Sequence, residues 1–345
     1  DRRDVEGALT HAIAMGDVER AGRILRAALD RSMSMAEGAD VAARALRLWL
    51  HEFGAAFVET DPAGVVEFLI GLITLDGADD APSWLDRVRR AHPHADGELT
   101  ALIEGAWNEH HQLRGQPREA IRRLHLALDA VGGRPPSRGL LSLLHAATAG
   151  AHVQAGELDA AGAVVEQALA HPTGGRVADD VRVPGIAAFV AASGGDLSRA
   201  DELAAHTGRA ADQLGLGDHE PGRIFAGLAL VELHLERYEH DVAGRILDQV
   251  MRASDASHRL TLQSLATLQN AKLARGLGDA AGAGALLAQA RRLYAEPDAA
   301  VRHVLGQEAV EQALRFDPPT AGTLLADLDR FRVETPPRRA HVAPL

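Results

Sequence analysis

The residues best able to do chemistry are the seventeen histidines, whose tightest groups are His110-His111, His92-Pro93-His94 and His51-Glu52. None has the His-Glu-x-x-His spacing that sets two imidazoles and a general base on one helical face. Adjacent histidines on a helix point about 100° apart, a poor geometry for sharing one metal. They read as half-buried or solvated side chains. Ser142 and Ser264 lack the Gly-x-Ser-x-Gly elbow that exposes a nucleophile. Gly276, Gly278, Gly282 and Gly284 superficially outline a dinucleotide loop, but they follow a helical pattern rather than a strand. Without cysteine there is no disulfide framework, thiolate metal cluster or cysteine nucleophile. No catalytic or metal-ligating residue is therefore assigned and the chain is expected not to be an enzyme. An all-helical metal-dependent hydrolase stands as the third reading.

The elements that carry these residues follow from composition. Of the 345 residues 46% are hydrophobic, 24% charged and only 3% aromatic. Ala, Leu, Gly and Arg fill the space, while Val, Ile, Thr and aromatic runs are nearly absent, which favours helix over sheet. The formal charge of −12 and the single lysine, Lys272, argue against a surface built for nucleic acid. No stretch approaches the ~18–20 apolar residues that span a bilayer. The charged opening Asp1-Arg2-Arg3-Asp4 does not have the order of a secretory signal. A soluble cytoplasmic protein is expected.

An internal repeat organises the chain. Gly16-Asp17, Gly115-Gln116, Gly156-Glu157, Gly195-Asp196 and Gly278-Asp279 are each followed by Ala five residues after the Gly, at Ala21, Ala120, Ala161, Ala200 and Ala283. Phe316-Asp317 leading to Ala321 is a copy without the Gly, and Glu236-Arg237-Tyr238-Glu239-His240-Asp241 is a degenerate one aligned on Glu236. The anchors at 115, 156, 195, 236, 278 and 316 recur with a period of about forty. After each anchor an apolar stripe at helical spacing follows, as in Ala161, Val164, Val165, Ala168 and Leu169. Before the anchors, Ala149, Ala188, Ala229, Ala271 and Ala309 mark a second helix. The unit is helix A, tight turn, helix B. Gly takes the left-handed conformation that ends helix A, and the acid beside it caps helix B. Small Ala residues at the crossing let the helix axes approach closely.

Neither helix buries its apolar surface within one unit, so stacking must bury the rest. The expected fold is all-α, a right-handed superhelical solenoid of antiparallel helix pairs with about 40 residues per repeat. One domain is expected over residues 1–331, irregular up to about residue 98, with loops at 31–40 and 76–97 and an anchor at Thr60-Asp61. Residues 332–345, rich in Pro and Arg, read as a linker.

Gly156, Ala161, Val165 and Ala168, like Gly278, Ala283, Leu287 and Ala290, resemble the tetratricopeptide pattern, stretched beyond its usual ~34 residues. Units of this length rich in Ala, Leu and Arg resemble the sensor region of the large ATP-dependent LuxR-type transcription regulators, the MalT-like group. The opening from Val5 to Ala21, the stretches Trp84-Leu85-Asp86-Arg87-Val88 and Ala106-Trp107, and the ending Val342-Ala343-Pro344-Leu345 are similar to that group. The resemblance covers nearly the whole chain. It implies a middle sensor module whose parent supplies a P-loop ATPase and a DNA-binding helix-turn-helix, neither of which is found here. No cofactor is then expected in this chain, ATP belonging to the ATPase.

The resemblance also implies a concave groove lined by helix A positions thirteen, ten, six, three and two before each anchor. Carried over, these give Glu109 and Gln112, Arg182 and Phe189, Arg223 and His234, Lys272 and Arg275, and His303. Positive charge would gather in the later half of the groove. The implied occupant is a small-molecule inducer or a protein or peptide, which biases self-association, with no direct nucleic-acid contact and no membrane. Trp107 is expected to pack in the core. The alternative is a protein–protein interaction scaffold of the same repeat type, unrelated to transcription.

Overall fold

Segments rich in Ala, Leu and Arg, punctuated by Gly-acid and Pro-containing breaks, form helices throughout. The structure is a computed structural model that describes residues 5–17, 20–25, 39–76, 79–132, 140–170, 177–257, 259–294 and 299–334, and no strand occurs among them. The helices are α1 (Val5–Ala14), α2 (Ala39–Thr60), α3 (Pro62–Asp76), α4 (Ala81–Ala91), α5 (Gly97–Leu113), α6 (Pro117–Val131), α7 (Leu140–Gln154) and α8 (Leu158–Ala170). A π-helical turn, Ala178–Arg182, leads into α9 (Val183–Ser193). Then come α10 (Leu197–Gln213), α11 (Pro221–Glu236), α12 (His240–Ala256), α13 (Leu260–Gly276), α14 (Ala280–Arg292), α15 (Ala299–Phe316) and α16 (Pro318–Glu334).

Six of the turns between successive helical segments are built alike. Gly16, Gly115, Gly156, Gly195 and Gly278 have φ of 64°, 69°, 73°, 83° and 84°. At each, the N–H of the next residue donates to a carbonyl five residues back, as from Glu157 to His152 and from Asp279 to Ala274. This closes the preceding helix with a left-handed residue. Tyr238 takes the same conformation, with φ 59°, and Glu239 N–H donates to His234 in the same way. The anchor of that unit is therefore Tyr238, not Glu236. Tyr238 stands five residues before Ala243, which is fully buried like Ala21, Ala120, Ala161, Ala200 and Ala283.

The residue after the anchor acts in one of two ways. Asp17, Asp196 and Asp279 accept from the backbone N–H of Arg20, Arg199 and Gly282, capping the next helix at 2.8–3.1 Å. Gln116, Glu157 and Glu239 instead reach back across the turn to Nδ1 of His111, His152 and His234, at 2.9, 2.8 and 2.5 Å. The short carboxylate caps, and the longer side chain clamps a histidine four residues before the anchor.

Early residues depart from the expected loops. The segment 76–97 contains α4, whose Leu85 and Val88 are buried. Ala39 already begins α2, and residues 31–38 lie outside the described residues. Asp61 caps α3 through Gly64 N–H at 3.1 Å, without a left-handed residue. In this region aromatics replace the Ala crossings: the Trp49 ring meets Phe57 and Phe68 edge-on at 5.0 and 4.8 Å. Trp107 packs against the same cluster, as expected. The last helix runs to Glu334, past the expected linker start at 332, and residues 335–345 lie outside the described residues.

Residues far apart in sequence also meet. Gly115 sits against the Tyr294 ring so closely that a Cβ would lie 2.5 Å from Cδ1, and a Cβ on Gly156 would lie 2.6 Å from Val304. Gln154 Nε2 donates to the Tyr294 hydroxyl at 3.3 Å. The turns after α5 and α7 are thus the seats of Tyr294, just past α14, and of Val304 on α15.

A candidate ligand cavity

A cavity of ≈ 250 Å³ lies where α5, α7, α9, α11 and α13, every second helix, converge with Ile70 and Thr74 of α3. Backbone contact sets part of its geometry. A Cβ on Gly185 would lie 2.2 Å from the carbonyl of Gly222, and one on Gly222 would lie 2.4 Å from that of Val181, so α9 and α11 touch main chain to main chain. Only glycines allow that approach. It brings the ends preceding the two helices together, with Arg182 on one and Glu220 on the other.

Arg182 donates through Nε and Nη2 to the two Glu220 oxygens at 2.6 and 3.3 Å. Burial disfavours its charge, and the Glu220 carboxylate beside it more than offsets this, so Arg182 stays a cation. Glu220 is 5% exposed and lies behind Arg182 rather than in the cavity wall. Across the space, Arg259 Nη1 donates to Glu109 Oε2 at 3.3 Å. The wall between these charges is mostly apolar, with Leu102, Leu144, Ile186, Phe225 and Leu262. Gly105 and Gly150 also face it, and a Cβ on either meets nothing within 4 Å.

Of the residues expected in a groove, Glu109, Gln112 and Arg182 line this cavity. Gln112 is tied by its Nε2 to Asn108 Oδ1 at 2.8 Å. Phe189 lies outside the wall, 6% exposed in the core against Phe225. Arg223 pairs with Asp212 at 2.7 Å and Asp218 at 3.3 Å, away from the cavity. His234 is the histidine clamped by Glu239 in the turn. The last two were misplaced by the two-residue error at the degenerate anchor. Measured from Tyr238, the position thirteen before falls on Phe225, which lines the cavity, and the position six before falls on Glu232.

Glu232 belongs to a separate cluster with Lys272 and Arg275. Lys272 Nζ lies 3.2 Å from Glu232 and 3.8 Å from Glu308, while Arg275 pairs with Glu308 at 3.2 Å and Glu311 at 2.7 Å. Three carboxylates surround two cations, so the expected positive later half of the groove is not formed. Burial lifts the Glu308 carboxyl above its ordinary value, with Lys272 pulling the other way. Burial likewise disfavours charge on Lys272, but Glu232 and Glu308 outweigh it and raise its pKa. His303 is half-buried outside the cavity wall.

Arg259 escaped the sequence reading because it precedes α13, outside any helix A offset. Phe225 was legible once Tyr238 was taken as the anchor. The histidine pairs resolve individually: His92 Nε2 lies 2.5 Å from the Val58 carbonyl, His51 pairs with Glu52, and His110 is buried beside Trp107. Among the described residues no cluster of three or more His, Asp or Glu is placed to hold a metal, and no helix is long and apolar enough to cross a membrane. Compared with known proteins, the chain matches no family model and no curated protein.

Proposed function

We propose that the chain is a small-molecule-sensing domain of the tetratricopeptide-like type. In this reading the paired helices stack as a right-handed solenoid, the first helix of each pair facing inward. The superhelix then closes where Tyr294 and Val304 meet the turns at Gly115 and Gly156. The observation that carries the proposal is the cavity: alternate helices supply its wall, the wall is mostly apolar, and a few charged groups converge on it. Because its wall joins early and late helices, an occupant that prefers the closed arrangement biases the whole domain toward it. The further step, that this domain belongs to a MalT-like regulator and transmits occupancy to self-association, rests on the resemblance of the repeats and of the Val5–Ala21 opening.

The test begins with the full chain equilibrated against a small-molecule extract of its own cells and then examined by native mass spectrometry. A bound mass is expected that Gly150→Leu no longer retains, because the added side chain fills open cavity space. Retention of the same mass by Gly150→Leu and Gly105→Leu, both folded by circular dichroism, would remove the cavity as the site. The regulatory step is tested by the flanking coding sequence, where a P-loop upstream and a helix-turn-helix downstream are expected.

A further inference from the structure

The charges of the cavity define its ligand more closely, an inference that rests on the cavity's being a binding site. Arg182 has two donors engaged by Glu220, which balances its charge from behind, while Nη1 makes no hydrogen bond among the described residues. Arg259 and Glu109 share a single contact of 3.3 Å, longer than the ~2.7–2.9 Å of a tight charge-assisted bond. Among the described residues Arg259 has no partner for Nε and Nη2, and Glu109 none for Oε1. The two remaining charges are thus opposite, loosely joined and incompletely satisfied.

That pattern discriminates among ligand classes. A simple carboxylate would approach Arg259 only beside the like charge of Glu109, whose field reaches Arg182 as well. A simple amine would face two guanidinium groups. A neutral saccharide would bury hydroxyls against Leu102, Leu144, Ile186 and Phe225, where they find no partners. Even the wall's own polar groups are engaged in part, Gln112 with Asn108 and the Thr74 hydroxyl with the Ile70 carbonyl at 2.9 Å. A molecule with one positive and one negative group on an apolar body leaves the charge balance unchanged and uses the open valences of both residues. The volume of ≈ 250 Å³ lies below the ~300–1,000 Å³ of drug-sized pockets, which fits an amino acid or dipeptide.

We infer that the cavity takes a zwitterionic apolar compound of the α-amino acid or dipeptide class. Its ammonium lies on Glu109, its carboxylate on Arg259 and the free Nη1 of Arg182, and its side chain among Leu144, Ile186 and Phe225. Glu109 and Arg259, from α5 and from the residue preceding α13, would then be joined through the ligand.

Titration calorimetry on the full chain tests this with L-leucine, L-phenylalanine and leucyl-phenylalanine as probes. 3-Phenylpropanoate and phenethylamine serve as analogues lacking one charge. At least one zwitterion is expected to bind, and each analogue to bind about tenfold or more weakly. Glu109→Gln should reduce binding of the zwitterion about tenfold while leaving 3-phenylpropanoate unchanged or tighter. The analogue comparison on unmodified protein does not depend on how that variant folds. Equal binding of zwitterion and single-charge analogue, or no zwitterion bound below ~1 mM, overturns the class. If the extract experiment still yields a Gly150-dependent mass of another chemistry, the cavity stands and only the zwitterion falls.

Discussion

Glycine at the anchor serves two separate needs, and the two can be measured apart. A Cβ at Gly195 meets no atom within 4 Å, so Gly195→Ala isolates the cost of holding a left-handed φ with a side chain, about 1 kcal/mol. Gly115→Ala adds the collision with Tyr294 and is expected to destabilise by clearly more in urea unfolding. Equal losses would mean that the Tyr294 contact yields freely. His110 supplies a second residue-scale expectation. Burial first, then Arg114, lowers its pKa from 6.5 to about 4. Between those values the unfolded chain binds the proton and the folded chain does not, so stability falls as pH drops from 6.5 towards 4, by up to roughly 3 kcal/mol. His110→Asn should flatten that part of the stability curve, and thermal melts across the range check it. Much at this scale was legible. Where the chain has Asp after the anchor it has Ala four residues before it, and where it has Gln or Glu it has His. Tyr238 was the exception, because a left-handed tyrosine announces itself less plainly than glycine.

Helix faces are governed by how charges are shared across neighbouring elements. Glu232 on α11, Lys272 and Arg275 on α13, and Glu308 and Glu311 on α15 form one cluster spanning three helices. Lys272→Met leaves Glu232 and Glu308 facing each other with less compensation and is expected to cost about 2 kcal/mol, below the figure for fully buried pairs because the lysine is partly exposed. Adding Glu308→Gln should recover most of that loss, and a double-mutant cycle in denaturant reads the coupling. A uniform loss with no coupling would make the three helices independent here. On α7, Gly150→Leu should raise stability by roughly 0.5–1 kcal/mol through helix propensity while closing the cavity, a divergence visible by comparing the melting temperature with ligand retention. The apolar stripes and Ala crossings of these helices were readable from period alone. The partners of their charges were not, since a charged residue facing inward has the same spacing whether it greets a ligand or a carboxylate on the next helix.

Contacts between distant stretches govern the molecule as a whole, and a forty-residue period carries no information about them. The period describes each unit and its neighbour. That Tyr294 rests on Gly115, or that Arg259 reaches Glu109, depends on how all the intervening helices pack. Arg259→Glu places two carboxylates at this junction and is expected to open it, increasing the radius of gyration in small-angle scattering while helicity is kept. An unchanged radius would show that Tyr294 and Val304 alone hold the ends together. The meeting of Glu109 with Arg259 has a further consequence for folding, because the two are 150 residues apart in sequence. Bringing such distant points together costs roughly 4 kcal/mol of chain entropy beyond a fixed term, set against contacts that form only when all intervening helices are in place. An open array of helix pairs can fray from either end one unit at a time. In the proposed solenoid, where the units at Arg259 and Tyr294 bear on those at Glu109 and Gly115, the helices between them are supported from both sides, and that stretch is expected to melt as a single body.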